Sequence, residues 1–148
     1  MLRRAFCTLL ATVVMLGGGV GTAAAYTPDE RDVFNHPRGG REAQDRILTH
    51  LVRTIASTPR YSTIRIAAYS NDRPDVVDAL IAAHQRGVDV QIVLNDNWTS
   101  EATRRLIRVL GQNPDRRSFL TICAGSCRGG AGNQHMKFYL FSKAGKAR

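Results

Sequence analysis

The chain has 148 residues, of which 43% are hydrophobic and 22% are charged, and its formal net charge is +9. This length suits one ordinary domain and is too short for two, and the composition excludes an intrinsically disordered chain. The positive charge favours anionic partners such as phospholipid headgroups, nucleic acid or acidic polymers, but it does not distinguish among them.

Residues 1–25 have the pattern of a secretory signal peptide. Arg3 and Arg4 precede a long uncharged run that ends in three alanines, which is the usual order of a basic region, an apolar region and a small-residue cleavage site. An uncleaved membrane anchor is the alternative, although a run of three glycines weakens such a helix. We therefore expect cleavage before Tyr26 and a secreted or periplasmic location.

Residues 26–40 contain prolines and glycines without a repeating apolar pattern, so we expect an extended leading segment there. Residues 41–148 alternate between helical and extended patterns. Helices are predicted at about 41–58, from Pro74 to Gly87 and at 101–111, and strands at 63–69, 88–94, 118–123 and 136–142. This order predicts one α/β domain in which helices pack on a largely parallel or mixed sheet, with functional groups at the carboxyl ends of the strands.

Two cysteines, Cys123 and Cys127, remain once the signal peptide is set aside. In an exported protein such a pair is predicted to form a disulfide. Metal binding is the alternative, but it needs two further ligands, and His36, His50 and His84 are scattered rather than placed at ligand spacing.

His135 and Lys137 lie two residues apart where the last predicted strand begins. Alternate side chains of a strand point to the same face, so an imidazole and an ammonium should project together. The imidazole can attack phosphorus or transfer a proton while the ammonium neutralises non-bridging oxygens. A polar pair on the solvated face of an edge strand is the alternative interpretation.

The segment before His135 is rich in glycine and contains Arg128, Asn133 and Gln134. It leads into a strand rather than a helix and is not followed by a Lys-Ser or Lys-Thr pair, so it does not match a nucleotide-binding loop. We expect the loop to present His135, with the guanidinium of Arg128 near the same opening.

These residues resemble the phospholipase D-like phosphodiesterases, whose signature is His-x-Lys, four residues, Asp, six residues and Gly-x-x-Asn. The local sequence around His135 is similar to that of exported bacterial members. It has a cysteine pair, then Arg-Gly and then Asn-Gln-His-Met-Lys-Phe. The resemblance implies a phospholipase D-like half-domain, incomplete at the C-terminus, of a fold built from two similar halves.

By the same resemblance, His135 would attack a phosphodiester to form a phosphohistidine, or act as the acid/base partner in that step. Lys137 would bind the phosphate oxygens, and Arg128, Asn133 and Gln134 are candidate substrate contacts. Water or an alcohol would then release the phosphoryl group, without a metal or cofactor.

Two departures from the signature limit this expectation. Ser142 stands where the family has Asp and is itself a candidate contact, and the sequence contains a single His-x-Lys. The later Gly of the signature would fall just past the last residue. We expect a missing second half, or a second copy of the chain, to complete the site.

Three functions follow as hypotheses. The first is a phosphatidyl hydrolase or transferase involved in lipid degradation. The second is a homodimeric nuclease of the same superfamily, which the basic charge supports. The third is an inactive, truncated relic that binds anions and in which His135 is structural.

Overall fold

The structure is a computed structural model that describes residues 26–29 and 31–147. The proposed signal peptide lies outside these residues. Within them, no helix is both long and apolar enough to cross a membrane.

The described residues form four helices and four strands, one helix more than the sequence predicts. They are α1 (Arg41–Gln44), α2 (Arg46–Ala56), β1 (Thr63–Ala68), α3 (Pro74–Gln85), β2 (Asp89–Asn95), α4 (Glu101–Leu110), β3 (Phe119–Cys123) and β4 (Lys137–Phe141). The single helix expected at 41–58 is instead two, because Asp45 leaves helical geometry with φ −102° and ψ 16°. The second of these helices ends before Pro59, since the residue preceding a proline is disfavoured in helical conformation.

The sheet has the strand order β3-β2-β1-β4. Strands β1, β2 and β3 are parallel, and β4 runs antiparallel to β1 along one edge. The sheet is therefore mixed and mostly parallel, which confirms the predicted fold class. We call the end where β1, β2 and β3 finish and β4 starts the carboxyl end of the sheet, and the opposite end its amino end.

All three long helices cover the same face of the sheet. The chain steps from β1 to β2 to β3 in one direction, so right-handed crossovers place α3 and α4 on one side. The core lies between these helices and the inward-facing positions of the strands, including Ile64, Ile66, Ile92, Leu80, Leu106 and Leu120. The opposite face is more open in the described part of the chain, with Phe138 and Leu140 exposed by 49% and 45%.

Candidate active site

His135 and Lys137 meet at the carboxyl end of the sheet. Lys137 Nζ lies 3.0 Å from His135 Nε2 and donates a hydrogen bond of 2.9 Å to the backbone carbonyl of His135. The first contact fits a neutral imidazole with its proton on Nδ1, the form in which Nε2 carries the lone pair needed for attack on phosphorus. Both residues are exposed, so an incoming phosphodiester can reach them.

Tyr69, directly after β1, packs against this pair. Its ring packs edge-on against the ring of His135, with centroids 5.1 Å apart, and Lys137 Nζ lies 5.5 Å from the tyrosine ring centre. The backbone N–H of Tyr69 also donates to the carbonyl of Met136, which continues the pairing of β1 with β4 beyond the last strand residue. The histidine is therefore held against a fixed aromatic wall, although it is open to solvent.

A buried side chain fixes the loop that leads to His135. Asn95, fully buried at the end of β2, donates from Nδ2 to the carbonyl of Gly125 at 2.6 Å. The same carbonyl accepts the backbone N–H of Gln134, the residue before the histidine. Gln134 in turn accepts the backbone N–H of Met136 through Oε1, so one chain of hydrogen bonds sets the backbone on both sides of His135.

Two further contacts tie the same loop to the sheet. Asn97 Nδ2 donates to Asn133 Oδ1 at 2.6 Å. Cys123 and Cys127 form the predicted disulfide, with Cα atoms 5.1 Å apart, and close a short ring at the end of β3. The loop is thus anchored near both of its ends.

The sequence model of the family described as "Cardiolipin synthase, PLD-like domain" matches residues 51–145. This stretch is more than half of the chain and includes both His135 and Lys137. The chain belongs to the phospholipase D-like family. No curated protein matches it.

Two solved structures are similar to this chain. Nuc, a phospholipase D family member from Salmonella typhimurium, is 29% identical with a TM-score of 0.46, and NucT from Helicobacter pylori is 23% identical with a TM-score of 0.49. Each match covers 70% of this chain, which spans 60% of the first structure and 64% of the second.

The other candidate contacts lie in different surroundings. Asn133 is exposed and held by Asn97, whereas Gln134 is 7% exposed and faces the protein interior. Arg128 lies in the exposed part of the loop, and its side chain makes no hydrogen bond or ion pair within residues 26–29 and 31–147.

Ser142, which replaces the Asp of the phospholipase D-like signature, lies at the far end of β4. It is five residues beyond Lys137, a distance on the order of 16 Å. Its Oγ accepts the backbone N–H of Thr63, and its own N–H donates to the carbonyl of that residue. Ser142 therefore joins the ends of β1 and β4 by hydrogen bonds and lies away from the imidazole of His135.

Two buried amide groups close to the carboxyl end lack partners among the described residues. They are Asn71 Nδ2 and Gln134 Nε2, on side chains that are 5% and 7% exposed. The backbone carbonyl of Asn71 accepts hydrogen bonds from the hydroxyls of Ser100 and Thr103, which fixes the backbone of this turn. The side-chain Nδ2 of Asn71 has no acceptor among the described residues. A buried donor of this kind is satisfied by water or by a ligand oxygen.

An apolar groove of about 530 Å³ opens beside Lys137 on the helical side of the sheet. Its walls include Ile47 and Leu51 of α2 and Tyr139 and Phe141 of β4. Burial raises the pKa of the Tyr139 phenol, so this side chain stays uncharged across the ordinary pH range. The groove places apolar surface directly next to the cation of the site.

The sequence predicts functional groups at the carboxyl ends of the strands, but it does not single out Tyr69, Asn71 or Asn95 as site residues. Asn95 depends on a loop that returns to it 30 residues further along the chain, and Tyr69 contacts His135 at the end of the same loop. The signal for Asn95 was its position at the carboxyl end of a buried parallel strand, where functional side chains gather. In the described part of the chain, no group of three or more His, Cys, Asp or Glu side chains could hold a metal ion.

Proposed function

We propose that this chain provides half of the active site of a phosphodiester hydrolase or transferase that acts through a phosphohistidine. The observation that carries the proposal is the contact between Lys137 Nζ and His135 Nε2 at 3.0 Å on an exposed sheet end. A phosphate that enters between these groups would draw the ammonium onto a non-bridging oxygen and free the Nε2 lone pair. Attack would then form a P–N bond as the bond from phosphorus to the leaving oxygen breaks.

The leaving alkoxide needs a proton, and the sequence contains no second His-x-Lys to supply one. We infer that the acid comes from a histidine outside these 148 residues, either in a further half of the protein or in a second copy of the chain. If two copies act together, the rate per chain should rise with protein concentration. Sedimentation velocity on the same samples would show whether the fraction of dimer rises with the rate.

The attack step can be tested without the missing acid. Nitrophenolate leaves from an aryl phosphodiester without being protonated, so wild-type protein should release it in a burst of one equivalent and retain the organophosphoryl group on His135. Peptide mass spectrometry locates the adduct. His135→Asn should abolish both signals, whereas the matched control His36→Asn, which changes an exposed histidine in the leading segment, should keep them. Equal bursts from wild type and His135→Asn would show that His135 is not the nucleophile, and no burst from either would favour the inactive, anion-binding relic.

The groove beside Lys137 favours a phospholipid over other phosphodiesters. Its walls can shield acyl carbons from water at about 25 cal/mol per Å² while the phosphate sits on the ammonium. Ile47, 46% exposed at its edge, is the residue to change. Ile47→Asp should remove the preference for long-chain over short-chain substrates, and Val109→Asp, an exposed apolar position on α4, should not.

The nuclease hypothesis gives the opposite outcome. A nucleic acid substrate would bind through its phosphates, so affinity would fall steeply with salt, and Ile47→Asp would leave cleavage unchanged. The export proposal is separate from either substrate, and N-terminal sequencing of the mature protein tests it by looking for a chain that starts at Tyr26.

A further inference from the structure

A second cleft lies at the amino end of the sheet, away from His135. It has a volume of about 630 Å³ and is bordered by the turns that lead into β1, β2 and β3. The three turns contribute arginines and an exposed tyrosine to one cavity, and the end of α3 adds a histidine. None of these residues takes part in the site described above.

Tyr61 is held in an unfavourable backbone conformation at the edge of this cleft. Its φ is 65°, and its side chain is 74% exposed. A bulky residue with positive φ costs free energy relative to glycine, and here it gains no burial in return. The turn is nevertheless fixed, because the Tyr61 N–H donates to the carbonyl of Gly87.

Arg60 is arranged over this tyrosine in advance of any ligand. Its guanidinium lies 4.7 Å from the Tyr61 ring centre. Its stem crosses Gly87 so closely that a Cβ at that glycine would lie 3.1 Å from Arg60 Cγ. Among the described residues, Arg60 has no carboxylate partner, so its charge is available to an anion.

His84 adds a third donor from the end of α3. Ser118 Oγ accepts the backbone N–H of Val90 at 3.0 Å and lies 3.2 Å from His84 Nδ1. When the serine hydroxyl donates to Nδ1, the proton of the neutral ring is on Nε2, which is then a donor. The serine thus fixes the ring that lines the cleft.

The cleft keeps a surplus of positive charge. Arg117 is paired with Asp89 at 2.9 Å, and Asp115 is the other carboxylate on its border. Arg60 and Arg116 form no ion pair within the described residues, so two guanidiniums oppose one free carboxylate.

We propose that this cleft is a second, non-catalytic site that binds a nucleotide unit. The base stacks on the exposed ring of Tyr61, and the phosphate binds Arg60, Arg116 and His84. An aromatic platform beside guanidiniums suits this ligand because base stacking and phosphate binding occur together. Inorganic phosphate or a sugar phosphate would engage the cations alone. The ligand is a free nucleotide or a residue of a single strand.

Calorimetric titration of the full chain tests the proposal with adenosine monophosphate, ribose 5-phosphate, inorganic phosphate and a single-stranded tetranucleotide. Adenosine monophosphate should bind about tenfold more tightly than ribose 5-phosphate, because stacking adds to the phosphate contacts. A tetranucleotide that binds more tightly than the monophosphate indicates a strand site, and equal affinities indicate a free-nucleotide site.

Tyr61→Gly removes the ring while suiting the positive φ, so the variant should fold at least as well as wild type. It should lose the tenfold preference and keep ribose 5-phosphate affinity. Arg116→Gln should weaken both ligands, whereas Arg38→Gln, an exposed arginine of the leading segment, and His135→Asn should change neither. Equal wild-type affinity for the two ligands, no saturable binding, or a preference that survives in Tyr61→Gly would each overturn the proposal.

Discussion

The two ends of the sheet both carry exposed cations, but they hold them in different ways. At the carboxyl end, Lys137 and His135 are separated by one residue at the start of a strand, and a loop anchored at Gly125 sets the backbone before them. At the amino end, Arg60 and Arg116 come from separate turns. The start of β4 and the anchored loop before it set the distance between the two reacting groups, whereas turns surround a ligand. The comparison separates a place for chemistry from a place for binding.

The largest effect that would break this comparison is expected at Lys137. Lys137→Gln removes the cation that stabilises charge on the phosphate oxygens, and losing one such contact lowers kcat by about 100- to 1000-fold. The matched variant is Lys143→Gln, which changes an exposed lysine just beyond β4 and should keep activity. Burst size and turnover of the aryl phosphodiester are measured for both variants. Similar losses in the two would mean that general positive charge matters, rather than the contact between Lys137 and His135.

The next effect contrasts the buried polar side chains that fix the two ends. Asn95→Ala leaves the carbonyl of Gly125 without its side-chain donor, which should cost about 1–3 kcal/mol of stability and misplace His135 enough to lower kcat about 10- to 100-fold. Ser118→Ala removes the acceptor of the Val90 N–H at the amino end and should cost a similar free energy.

Activity distinguishes these two variants, because Ser118→Ala should keep the turnover of wild type. Urea unfolding and steady-state kinetics on the same preparations give both quantities. A parallel fall of kcat in the two variants would show that the ends of the sheet are not independent and that loss of stability alone explains the loss of activity.

A smaller effect is expected at the end of β4 that lacks chemistry. Ser142→Ala removes the side-chain acceptor for the Thr63 N–H, which should cost about 0.5–1.5 kcal/mol and leave kcat unchanged. Ser142→Asp restores an acceptor and the residue of the family signature. A rise of kcat by more than about tenfold in Ser142→Asp would show that the family carboxylate acts on His135 and that the serine at this position lowers activity.

The sequence is sufficient for the elements of the fold, because apolar periodicity and capping residues are local signals. Ser100, for example, caps α4 by accepting the N–H of Thr103. The sequence also singles out His135 and Lys137, but His135 precedes β4, so strand alternation does not explain the contact between them. The edge position of β4 and the placement of every long helix on one face depend on the path of the chain through space, and the local patterns do not contain it.

The supporting residues of both ends could not be predicted for the same reason. Asn95 and Gly125 are 30 residues apart, and the return of the loop decides that they meet. The positive φ of Tyr61 has no local signal either, because the residue types that usually adopt it are glycine and asparagine. Reacting side chains can be predicted from a sequence motif, whereas the residues that position them can be identified only from the folded structure.

The smallest effect concerns an ion pair at the carboxyl end, where α3 begins. Hydrogen bonding from Arg73 is the main cause that holds the pKa of the Asp75 carboxyl below its ordinary value. A carboxyl whose pKa is lower in the folded state stabilises the protein fully above its unfolded pKa of about 4 and loses that contribution as the pH falls through the folded value. Asp75→Asn should therefore lower stability slightly near pH 7 and not at all under strongly acidic conditions.

Both groups of this pair are largely exposed, so solvent screening keeps the change below those at Asn95, Ser118 and Ser142. Urea unfolding of wild type and Asp75→Asn across the acid range measures it. A difference that stays constant down to acid pH would mean that the side chain acts through its shape at the helix start and not through its charge. Unchanged burst kinetics in the same variant would show that an ion pair near the carboxyl end does not affect the reactivity of His135. The chemistry would then depend on the contact between His135 and Lys137 and on the loop before them, rather than on the surrounding charge.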